Sequence, residues 1–533
     1  MPGRLAIDFG TSNTVVALWD ADRQQGTTPP LAGLSVERSH VEGGSRSTFH
    51  VVPSFIHYQG HRVRVGRQVI DEALEAAPAT FKWMKTYVGH GMRVKRQVGD
   101  GRQVDPFEAG HDFLTQVLLA AGGLVDFAEE EVAFTVPVEA FEHYQDWLDG
   151  VARAAGIGRL RLIDEPSAAA LGYSARVKPG EAFVVFDFGG GTADVAVVKV
   201  EESAQNGRRC RVLGKAGAQV GGTVLDAWIL RDLLTRTKRS ESDVRHFTGL
   251  LLAQIEKVKE ALSFEDAREL RVMDPESGAT LVHRYTRSAL EDLFEANGLY
   301  TKLATLLDLA EAQAREQGFE RDKLVACLMT GGSSLIPSVR RLLRTRYGER
   351  TRADRPFDAV ALGAAAYVAG VDFDDRIRHE YALRHFDRAK SNYAYRAIVP
   401  AGTGYPCTVM HPQKPGEPLV LTIKASHEEQ TRLGMEIFEV AHRESLATGG
   451  GGFDLVFDAS GAARYSQRED VDDATHRSMG SATFVHADPP AKKGDPRFLA
   501  TFAIDAQKRL CVTVKDSLAG KTLMRDFPMV KLT

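Results

Sequence analysis

The stretch Leu5–Leu18 reads LAIDFGTSNTVVAL, and the chain repeats its pattern at Val184–Val197, which reads VVFDFGGGTADVAV. In both copies an apolar run enters Asp-Phe-Gly, passes through a turn of small residues and continues as a second apolar run. Asp8-Phe9-Gly10 and Asp187-Phe188-Gly189 correspond at one constant offset. Each copy therefore predicts a strand, a tight turn and a returning antiparallel strand.

The turn residues indicate a site for a polyphosphate. Glycines let the backbone approach a bulky anion and point N–H groups at it, and hydroxyls add further donors. Asp8 and Asp187 would lie beside the phosphates, and their bare carboxylates would repel them. We therefore expect a divalent cation between the carboxylates and the phosphates, namely Mg²⁺ that keeps several of its waters. One such hairpin also fits an ordinary glycine turn with a capping aspartate, but two copies in register favour the anion site. Neither copy carries Gly-Lys-Ser/Thr or leads straight into a helix, which argues against a Walker loop.

Bulk properties narrow the class of protein. The 533 residues are enough for about two to four domains. With 67 basic and 71 acidic residues, the chain gives no sign of a nucleic-acid or anionic-membrane partner. Its four cysteines are far apart and predict buried small hydrophobes in a reducing compartment. The first strand leaves no room for a signal peptide and no apolar run is long enough to span a bilayer, so we expect a cytoplasmic protein.

Strand and helix patterns alternate after the first hairpin. Glu108–Leu124 and Ala140–Ala155 predict helices, and Glu131–Val136 and Leu160–Ile163 predict strands. Asp164–Gly172 starts a helix with an acidic first turn and a proline near its first position. The same succession begins again at the second copy. We therefore predict two α/β lobes of related plan that face each other across a nucleotide cleft.

Eight motifs follow one another between Leu5 and Gly370: DFGTSNT, TVPVEAFEHYQ, IDEPSAAALGY, DFGGGTADVAV, GGTVLD, IEKVKEALS, MTGGSSLIPSVRRLL and FDAVALGAAAYVAG. In this order they resemble the nucleotide-binding domain of the seventy-kilodalton heat-shock (DnaK-type) chaperones. The resemblance implies an α/β actin-like, ribonuclease-H-like duplicated ATPase domain that binds ATP or ADP with Mg²⁺.

The resemblance also implies roles for individual residues. The phosphates would be held by Gly10, Thr11, Ser12, Asn13, Gly189, Gly190, Gly191 and Thr192, and Mg²⁺ by Asp8 and Asp187 through water. Lys85 would reach the γ-phosphate and the attacking water, which Glu165 and Asp194 help to orient. The implied catalytic residues are thus Lys85, Glu165, Asp187, Thr192 and Asp194, acting by positioning and charge neutralisation. Lys82 is a rival for Lys85, but a solvated surface lysine is the favoured interpretation of Lys82.

The adenosine side is expected further along the chain. Ser242–Ser263 is predicted as one long helical stretch, and its end resembles the adenosine-contacting helix of the family. Glu256, Lys259 and Ser263 share one helix face, although this spacing also fits a plain charged surface. The resemblance adds Gly221, Gly222, Gly331, Gly332, Ser333 and Asp358 to the nucleotide site.

Three positions depart from the family. Leu335 and Glu260 stand where relatives can carry arginines, one of which stacks on adenine, so we expect an adenine held by apolar contact with modest affinity. Gln145 stands where relatives carry an arginine, eight residues after the proline matched by Pro137. That proline and arginine belong to the relay between ATP and the substrate domain, so Gln145 puts the standard relay in doubt.

Two domains and a linker are predicted: an ATPase domain at 1–372, a linker at 373–392 and an all-β sandwich at 393–533. The linker is charged rather than a run of leucines and valines, although Ala382–Phe386 can pair as a strand. Short alternating runs after Tyr393 predict the sandwich, and parts of it resemble the peptide-binding β-domain of the family. Gly449–Gly452 and Ser460–Pro496 are expected to be long loops. Relatives continue into a helical lid, whereas this sequence stops at Thr533, so rapid peptide release is expected.

Two functions of different class fit these observations. The first is a lidless DnaK-like ATPase chaperone that binds unfolded peptide or protein clients, with co-chaperones as possible partners. The second is an ATP-gated interaction or scaffold protein with little turnover that recognises one folded partner. Gln145 and the altered linker favour the second, whereas the intact catalytic set favours the first. A sugar or small-molecule kinase is disfavoured, because no motif marks an acceptor pocket with a carboxylate base.

Overall fold

The computed structural model describes the chain from Gly3 to Leu532, apart from residues 43, 61, 100, 138–141, 175–177, 202–208, 371, 375–376, 378–379, 388–391, 401–402, 406, 412–413, 415, 426–427, 443–452, 458–462, 468–473, 479–482, 495 and 506–508. The chain divides into two units. The first comprises residues 1–373 with 445–470, and the second comprises residues 374–444 with 471–533.

The first lobe of the first unit precedes the second copy of the repeat. Its elements are β1 Leu5–Phe9, β2 Asn13–Asp20, β3 Gln25–Thr27, β4 Val36–Glu42, β5 Ser45–Pro53, β6 Ile56–Gln59, β7 Arg62–Val65, α1 Arg67–Asp71, β8 Thr80–Phe81, α2 Met84–Gly89, β9 Arg96–Gln97, β10 Gln103–Val104, α3 Pro106–Ala121, β11 Glu131–Val136, α4 Glu142–Ala154, β12 Arg159–Asp164 and α5 Glu165–Ser174.

The second lobe begins with the second copy. Its elements are β13 Ala182–Phe188, β14 Ala193–Glu201, β15 Arg209–Ala218, α6 Gly222–Thr237, α7 Glu241–Val244, α8 Thr248–Ala261, β16 Ala267–Met273, β17 Thr280–Thr286, α9 Arg287–Ala296, α10 Leu299–Glu316, β18 Leu324–Thr330, α11 Pro337–Tyr347, β19 Thr351–Arg352, α12 Ala359–Val368 and β20 Asp372–Asp374.

The two lobes share one sheet plan, as the repeat predicts. β1 pairs antiparallel with β2 and parallel with β11, and β11 in turn pairs parallel with β12. In the same way, β13 pairs antiparallel with β14 and parallel with β18, and β18 in turn pairs parallel with β19. Even the register is repeated, because Asp8 lies opposite Val15 and Asp187 lies opposite Asp194. The predicted duplicated actin-like architecture is confirmed.

Two alanine-rich helices, α5 and α12, lie between the sheets of the two lobes. Their buried residues share one apolar cluster with Ala6 and Val15 of the first sheet and Val185 of the second. A β-carbon on Gly172 would lie 2.2 Å from the carbonyl oxygen of Ala359, so glycine is required for this close helix packing. The packing explains the run of small residues in both motifs.

The helix predicted for Ser242–Ser263 is interrupted in the structure. A short 3₁₀ turn, Arg245–Phe247, separates α7 from α8. Tertiary contacts account for the break, because Phe247 is buried in the core and His246 hydrogen-bonds to Asp274. The prediction of one continuous helix is therefore wrong.

The second unit is built from strands. They are β21 Glu380–Asp387, β22 Asn392–Val399, β23 Cys407–Thr408, β24 Val420–Lys424, β25 Gln430–Met435, β26 Ile437–His442, β29 Ala474–Ser478, β30 Thr483–Ala491, β31 Pro496–Ile504, β32 Arg509–Asp516 and β33 Thr522–Lys531. The strands β27 Phe453–Phe457 and β28 Ala463–Gln467 pair with each other and belong to the segment 445–470 of the first unit. One sheet has the order β22-β21-β26-β29, and another joins β23, β24, β31, β32 and β33.

One apolar cluster joins these two sheets of the second unit. Tyr381 and Ile437 come from the first sheet, and Phe498 and Val512 come from the second. Alternation along β31, whose residues are alternately buried and exposed over most of its length, produces this core. The predicted β-sandwich is confirmed, and Ala382–Phe386 does pair as part of β21.

Two further sequence predictions can be compared with the structure. Gly449–Gly452 lies outside the described residues, whereas the prediction of a loop throughout Ser460–Pro496 is wrong. Val485 in β30 is paired with Leu433 of β25 and is buried, so this segment contributes to the sandwich despite its prolines.

The four cysteines are free, and all are buried except Cys407, which is partly exposed. None of the helices in the described ranges has the length and apolar character that crossing a bilayer would need.

Candidate functional site: a polyphosphate cleft between two glycine bends

The bends of the two hairpins lie against each other. A β-carbon built on Gly190 would lie 2.9 Å from Ser12 Oγ, and one on Gly191 would lie 2.6 Å from Thr11 Oγ1 and 3.0 Å from Thr86 Oγ1. Only glycine leaves open space between the bends. Hydroxyls from one lobe and backbone amides from the other can therefore contact the same anion.

Each bend is held by contacts that leave its inner side open. A β-carbon on Gly10 would lie 2.0 Å from the carbonyl oxygen of Asn13, and Ser54 Oγ donates to the Gly10 carbonyl at 2.8 Å. In the second bend the Gly189 N–H donates to the Thr192 carbonyl at 3.0 Å. The backbone of both bends is thus fixed before any ligand arrives, which favours tight anion binding.

Lys85 and Glu165 form a buried ion pair beside the bends. Lys85 is 7% exposed and Glu165 is 5% exposed, and Lys85 Nζ donates to Glu165 Oε1. Burial alone would lower the pKa of Lys85, but electrostatic interactions with Glu165, Tyr144 and Asp8, with the hydrogen bond to Glu165, together outweigh burial and raise that pKa. The lysine therefore stays charged and can attract a phosphate at any physiological pH.

Lys82, the rival of Lys85, is not a solvated surface lysine, so that interpretation is wrong. Its Nζ lies 4.3 Å from the centre of the Trp83 ring, and burial lowers its pKa even though Glu256 and Asp226 oppose the shift. Trp83 has a φ of 58° immediately before α2, which places Lys82 and Lys85 in different surroundings. Lys85, not Lys82, lines the pocket between the bends.

Three further carboxylates lie near the Lys85–Glu165 pair, so the carboxylates there outnumber the cations. Asp194 is fully buried, Asp187 is 8% exposed, and Asp8 accepts a hydrogen bond from Thr135 Oγ1 at 2.7 Å. Burial, followed by the charges of Glu165, Asp194 and Asp8, raises the pKa of Asp187 well above its ordinary value. Burial also raises the pKa of Asp8. A cation placed here would relieve this repulsion.

Mg²⁺ suits this group of carboxylates, because it prefers oxygen ligands and keeps several waters. Within the described ranges no three acidic, histidine or cysteine side chains lie close enough to hold a metal ion directly. An ion held by Asp8 and Asp187 through water and by the phosphates of the ligand is compatible with that arrangement.

Residues from the adenosine side of the prediction meet the second bend. Gly222 N–H and Ser333 Oγ donate to the carbonyl of Gly189 at 3.0 and 2.8 Å. Lys259 Nζ donates to the Gly222 carbonyl at 3.0 Å and to Asp226 Oδ2 at 2.9 Å. Gly221 and Gly331 also touch this region, since β-carbons on them would lie 2.5 Å from the Gly191 backbone nitrogen and 2.7 Å from Asp187 Oδ1.

Three predicted residues are less closely tied to this cluster. Glu256 lies on α8 and its charge raises the pKa of Asp226, so it is near the cluster without a direct bond to the bend. Ser263 follows α8, where its N–H donates to the Glu260 carbonyl. Asp358 accepts two hydrogen bonds from the Arg355 guanidinium, at 3.0 and 2.6 Å, and is 1% exposed. Contacts of all three with adenosine stay predictions.

The structure adds residues that the sequence reasoning missed. An open pocket of about 400 Å³ is lined by Thr11, Gly191 and Thr192 of the bends and also by Lys85, Pro137, Tyr144 and Gln219. Tyr144 lies on α4, far from both bends in sequence, so no spacing signal could have located it. Phe357 is a second example, since its ring stacks on Phe49 at 5.4 Å and lies 3.4 Å from a β-carbon built on Gly332.

Asp226 makes stability pH-dependent in a defined direction. Burial, opposed by Lys259 and assisted by Glu256, raises the pKa of Asp226 to about 7. The folded protein then binds more protons than the unfolded chain between about pH 4 and pH 7, so stability falls as pH rises, by at most about 1.4 kcal/mol per pH unit. We expect Asp226→Asn to remove this slope in thermal unfolding midpoints measured across that range. Loss of the Lys259 ion pair lowers the unfolding midpoint of the variant at every pH, so the test is the slope against pH and not the height of the curve. An unchanged slope would contradict the prediction.

Comparisons with known proteins agree with this arrangement. A family model described as Hsp70 protein matches residues 5–379. The chaperone protein DnaK of Deinococcus deserti is 24% identical to this chain over an alignment of 541 residues, which covers 98% of the chain and 78% of that protein. The matched region contains both bends, the Lys85–Glu165 pair and the Lys259 cluster. The chain belongs to the Hsp70 family.

Proposed function

We propose that the first unit binds ATP with Mg²⁺ between the two glycine bends and slowly hydrolyses it. The observation that carries this proposal is the opposition of Thr11 and Ser12 to Gly190 and Gly191, with the charged Lys85–Glu165 pair beside them. Hydroxyls and amides bind phosphate oxygens, and a buried lysine stabilises the charge that develops on them. Membership of the Hsp70 family supports the choice of ATP.

In this proposal the chain acts by positioning rather than by covalent chemistry. The two bends orient the polyphosphate, Lys85 attracts its terminal oxygens, and Glu165 holds Lys85 in place. Asp8 and Asp187 would hold Mg²⁺ through water, and the ion would supply charge neutralisation on the phosphates. Asp194 and Thr192 lie at the same bend and complete the polar surroundings of the attacking water. We expect turnover below about one per second, at the low edge of ordinary enzyme rates.

We further propose that nucleotide state biases peptide binding by the second unit. A β-sandwich can bind an extended peptide by backbone pairing and a side-chain pocket. A ligand that closes the lobes of the first unit shifts the balance between conformations, and this shift can reach a domain joined to it. Unfolded polypeptides are the expected clients, with co-chaperones as further partners. The DnaK relative, which aligns over 98% of the chain, supports this reading.

Gln145 favours a second candidate, an ATP-gated scaffold that recognises one folded protein. This side chain lies on α4 and is 9% exposed, at the position where the resemblance expects a charged arginine. An amide cannot replace the fork of charged donors that a guanidinium offers. A chain without that relay can still bind ATP and a partner while turning over little nucleotide.

A phosphate-release assay with and without an unfolded polypeptide tests these alternatives. We expect the purified chain to hydrolyse ATP in the presence of Mg²⁺, and an unfolded client to stimulate that turnover. Nucleotide binding without turnover, with or without client, would support the scaffold. Absence of any ATP or ADP binding by calorimetry would refute both functions.

A further inference from the structure

Tyr144 is one of the residues that line the pocket beside the two bends. Its ring belongs to the apolar core of the first lobe and lies 5.9 Å from the ring of Trp147. Only 1% of the residue is exposed, yet it lines the pocket together with Lys85 and Pro137. The core therefore fixes the ring, and the hydroxyl is the part of the residue that can meet a ligand.

The Tyr144 hydroxyl is buried and has no hydrogen-bond partner among the described residues. Burying a hydroxyl without a hydrogen-bond partner costs free energy relative to leaving it in water. Phenylalanine would therefore be the more stable residue at this position if no ligand paired with the hydroxyl. Thr86 Oγ1, which lines the same pocket, is also buried without a partner in the described part of the chain. Two hydroxyls in one pocket that no described residue pairs indicate a polar ligand that comes from outside the chain.

The surroundings of Tyr144 indicate what this ligand is. Burial raises the pKa of Tyr144, Lys85 opposes that shift, and Glu165 and Asp8 add to it. The hydroxyl is therefore neutral, and it can both donate and accept a hydrogen bond. Lys85, Glu165 and Asp8 are the groups placed at the terminal end of the polyphosphate in the proposed function. Water is a small molecule with both donors and acceptors, so it can pair with a neutral hydroxyl in this pocket.

We propose that the Tyr144 hydroxyl holds the water that attacks the terminal phosphate, which makes Tyr144 a catalytic residue of this chain. This inference rests on the proposed function. The water oxygen forms a bond to the γ-phosphorus as the bond to the bridging oxygen breaks, so ATP and water give ADP, inorganic phosphate and one proton that leaves to solvent. The tyrosine accepts a hydrogen bond from the water throughout and is chemically unchanged at the end.

The test is Tyr144→Phe in the full chain, which removes one oxygen and keeps the ring. We expect turnover to fall about 10- to 100-fold, the range of a lost positioning contact, while ATP and ADP affinities stay within about twofold. Binding of ADP with aluminium fluoride, which mimics the phosphoryl group with its attacking water, should weaken by a similar factor. The unfolding midpoint without nucleotide should stay equal or rise, because no hydrogen bond to a protein group is lost.

Tyr285→Phe is the matched control. Tyr285 is also 1% exposed, but its hydroxyl donates to Asp232 Oδ2 at 3.1 Å, away from the pocket. Its loss should lower the midpoint and leave turnover unchanged. Unchanged turnover and unchanged aluminium fluoride binding in Tyr144→Phe would overturn the inference, as would a loss of ATP affinity that matches the loss of turnover. If the unaltered chain neither binds nor hydrolyses ATP, the proposed function itself fails instead.

Discussion

Replacing Lys85 by alanine should lower ATP turnover by about 10²- to 10³-fold, the effect of removing one preorganised charged donor from a site sheltered from water. Lys85 is 7% exposed and its Nζ is bonded to Glu165. The substitution removes a positive charge from the terminal phosphate and leaves the Glu165 carboxylate buried and uncompensated. That carboxylate then repels both the phosphates and Asp187, so the losses in chemistry and in nucleotide affinity have one electrostatic origin.

The same substitution should cost about 3–5 kcal/mol of stability, because it breaks a buried ion pair by removing one partner. Stability and chemistry can be separated with the double variant Lys85→Ala, Glu165→Gln. Neutralising Glu165 should recover most of the stability but little of the turnover. Turnover is measured by phosphate release and stability by thermal unfolding.

Arg346→Met provides a matched control for the Lys85 variant. Arg346 donates to the buried Glu311 at 2.6 Å, away from the pocket, so its loss also breaks a largely buried ion pair. We expect the control to be destabilised and to keep its turnover once folded. A Lys85→Ala protein that is folded at the assay temperature and turns over ATP like the unaltered chain would remove Lys85 from the proposed mechanism.

The parts of the fold that follow from local sequence were predictable. The repeated Asp-Phe-Gly bends predicted the two hairpins, and the structure shows that the two copies also share one register, with Asp8 opposite Val15 and Asp187 opposite Asp194. Glycine at 190 and 191 could be read as close approach to an anion, since only glycine permits it. Each of these features depends on residues that are close together in the sequence, so the sequence pattern alone predicts them.

The parts that depend on distant contacts were not predictable. Tyr144 reaches the pocket because its helix packs on the first sheet, and nothing in its own segment marks a polar ligand. Asp358 accepts two hydrogen bonds from Arg355, a contact that spacing alone does not reveal, and its contact with adenosine stays a prediction. Val485 joins the sandwich although prolines follow it, since an edge strand tolerates proline.

Gly221→Ala should lower the affinity for ATP and ADP at least about 100-fold, although alanine suits the backbone there. Gly221 has a φ of −159°, so the substitution adds no backbone strain. Its β-carbon would lie 2.5 Å from the carbonyl carbons of Gly190 and Gly191 and from the Gly191 nitrogen. These are backbone atoms that cannot rotate away, so the second bend must move off the first. Losing two charge-assisted hydrogen bonds of about 1.5–3 kcal/mol each accounts for such a factor.

Gly150→Ala separates this steric effect from a general response to an added methyl group. Gly150 lies in α4, and a β-carbon there would meet nothing within 4 Å. Alanine should keep nucleotide affinity and stabilise the helix by about 0.5–1 kcal/mol. Calorimetric titration of both variants with ATP and with ADP in Mg²⁺ measures the difference. Equal affinities would mean that the phosphates do not touch the second bend, because a displaced bend cannot bind them as before.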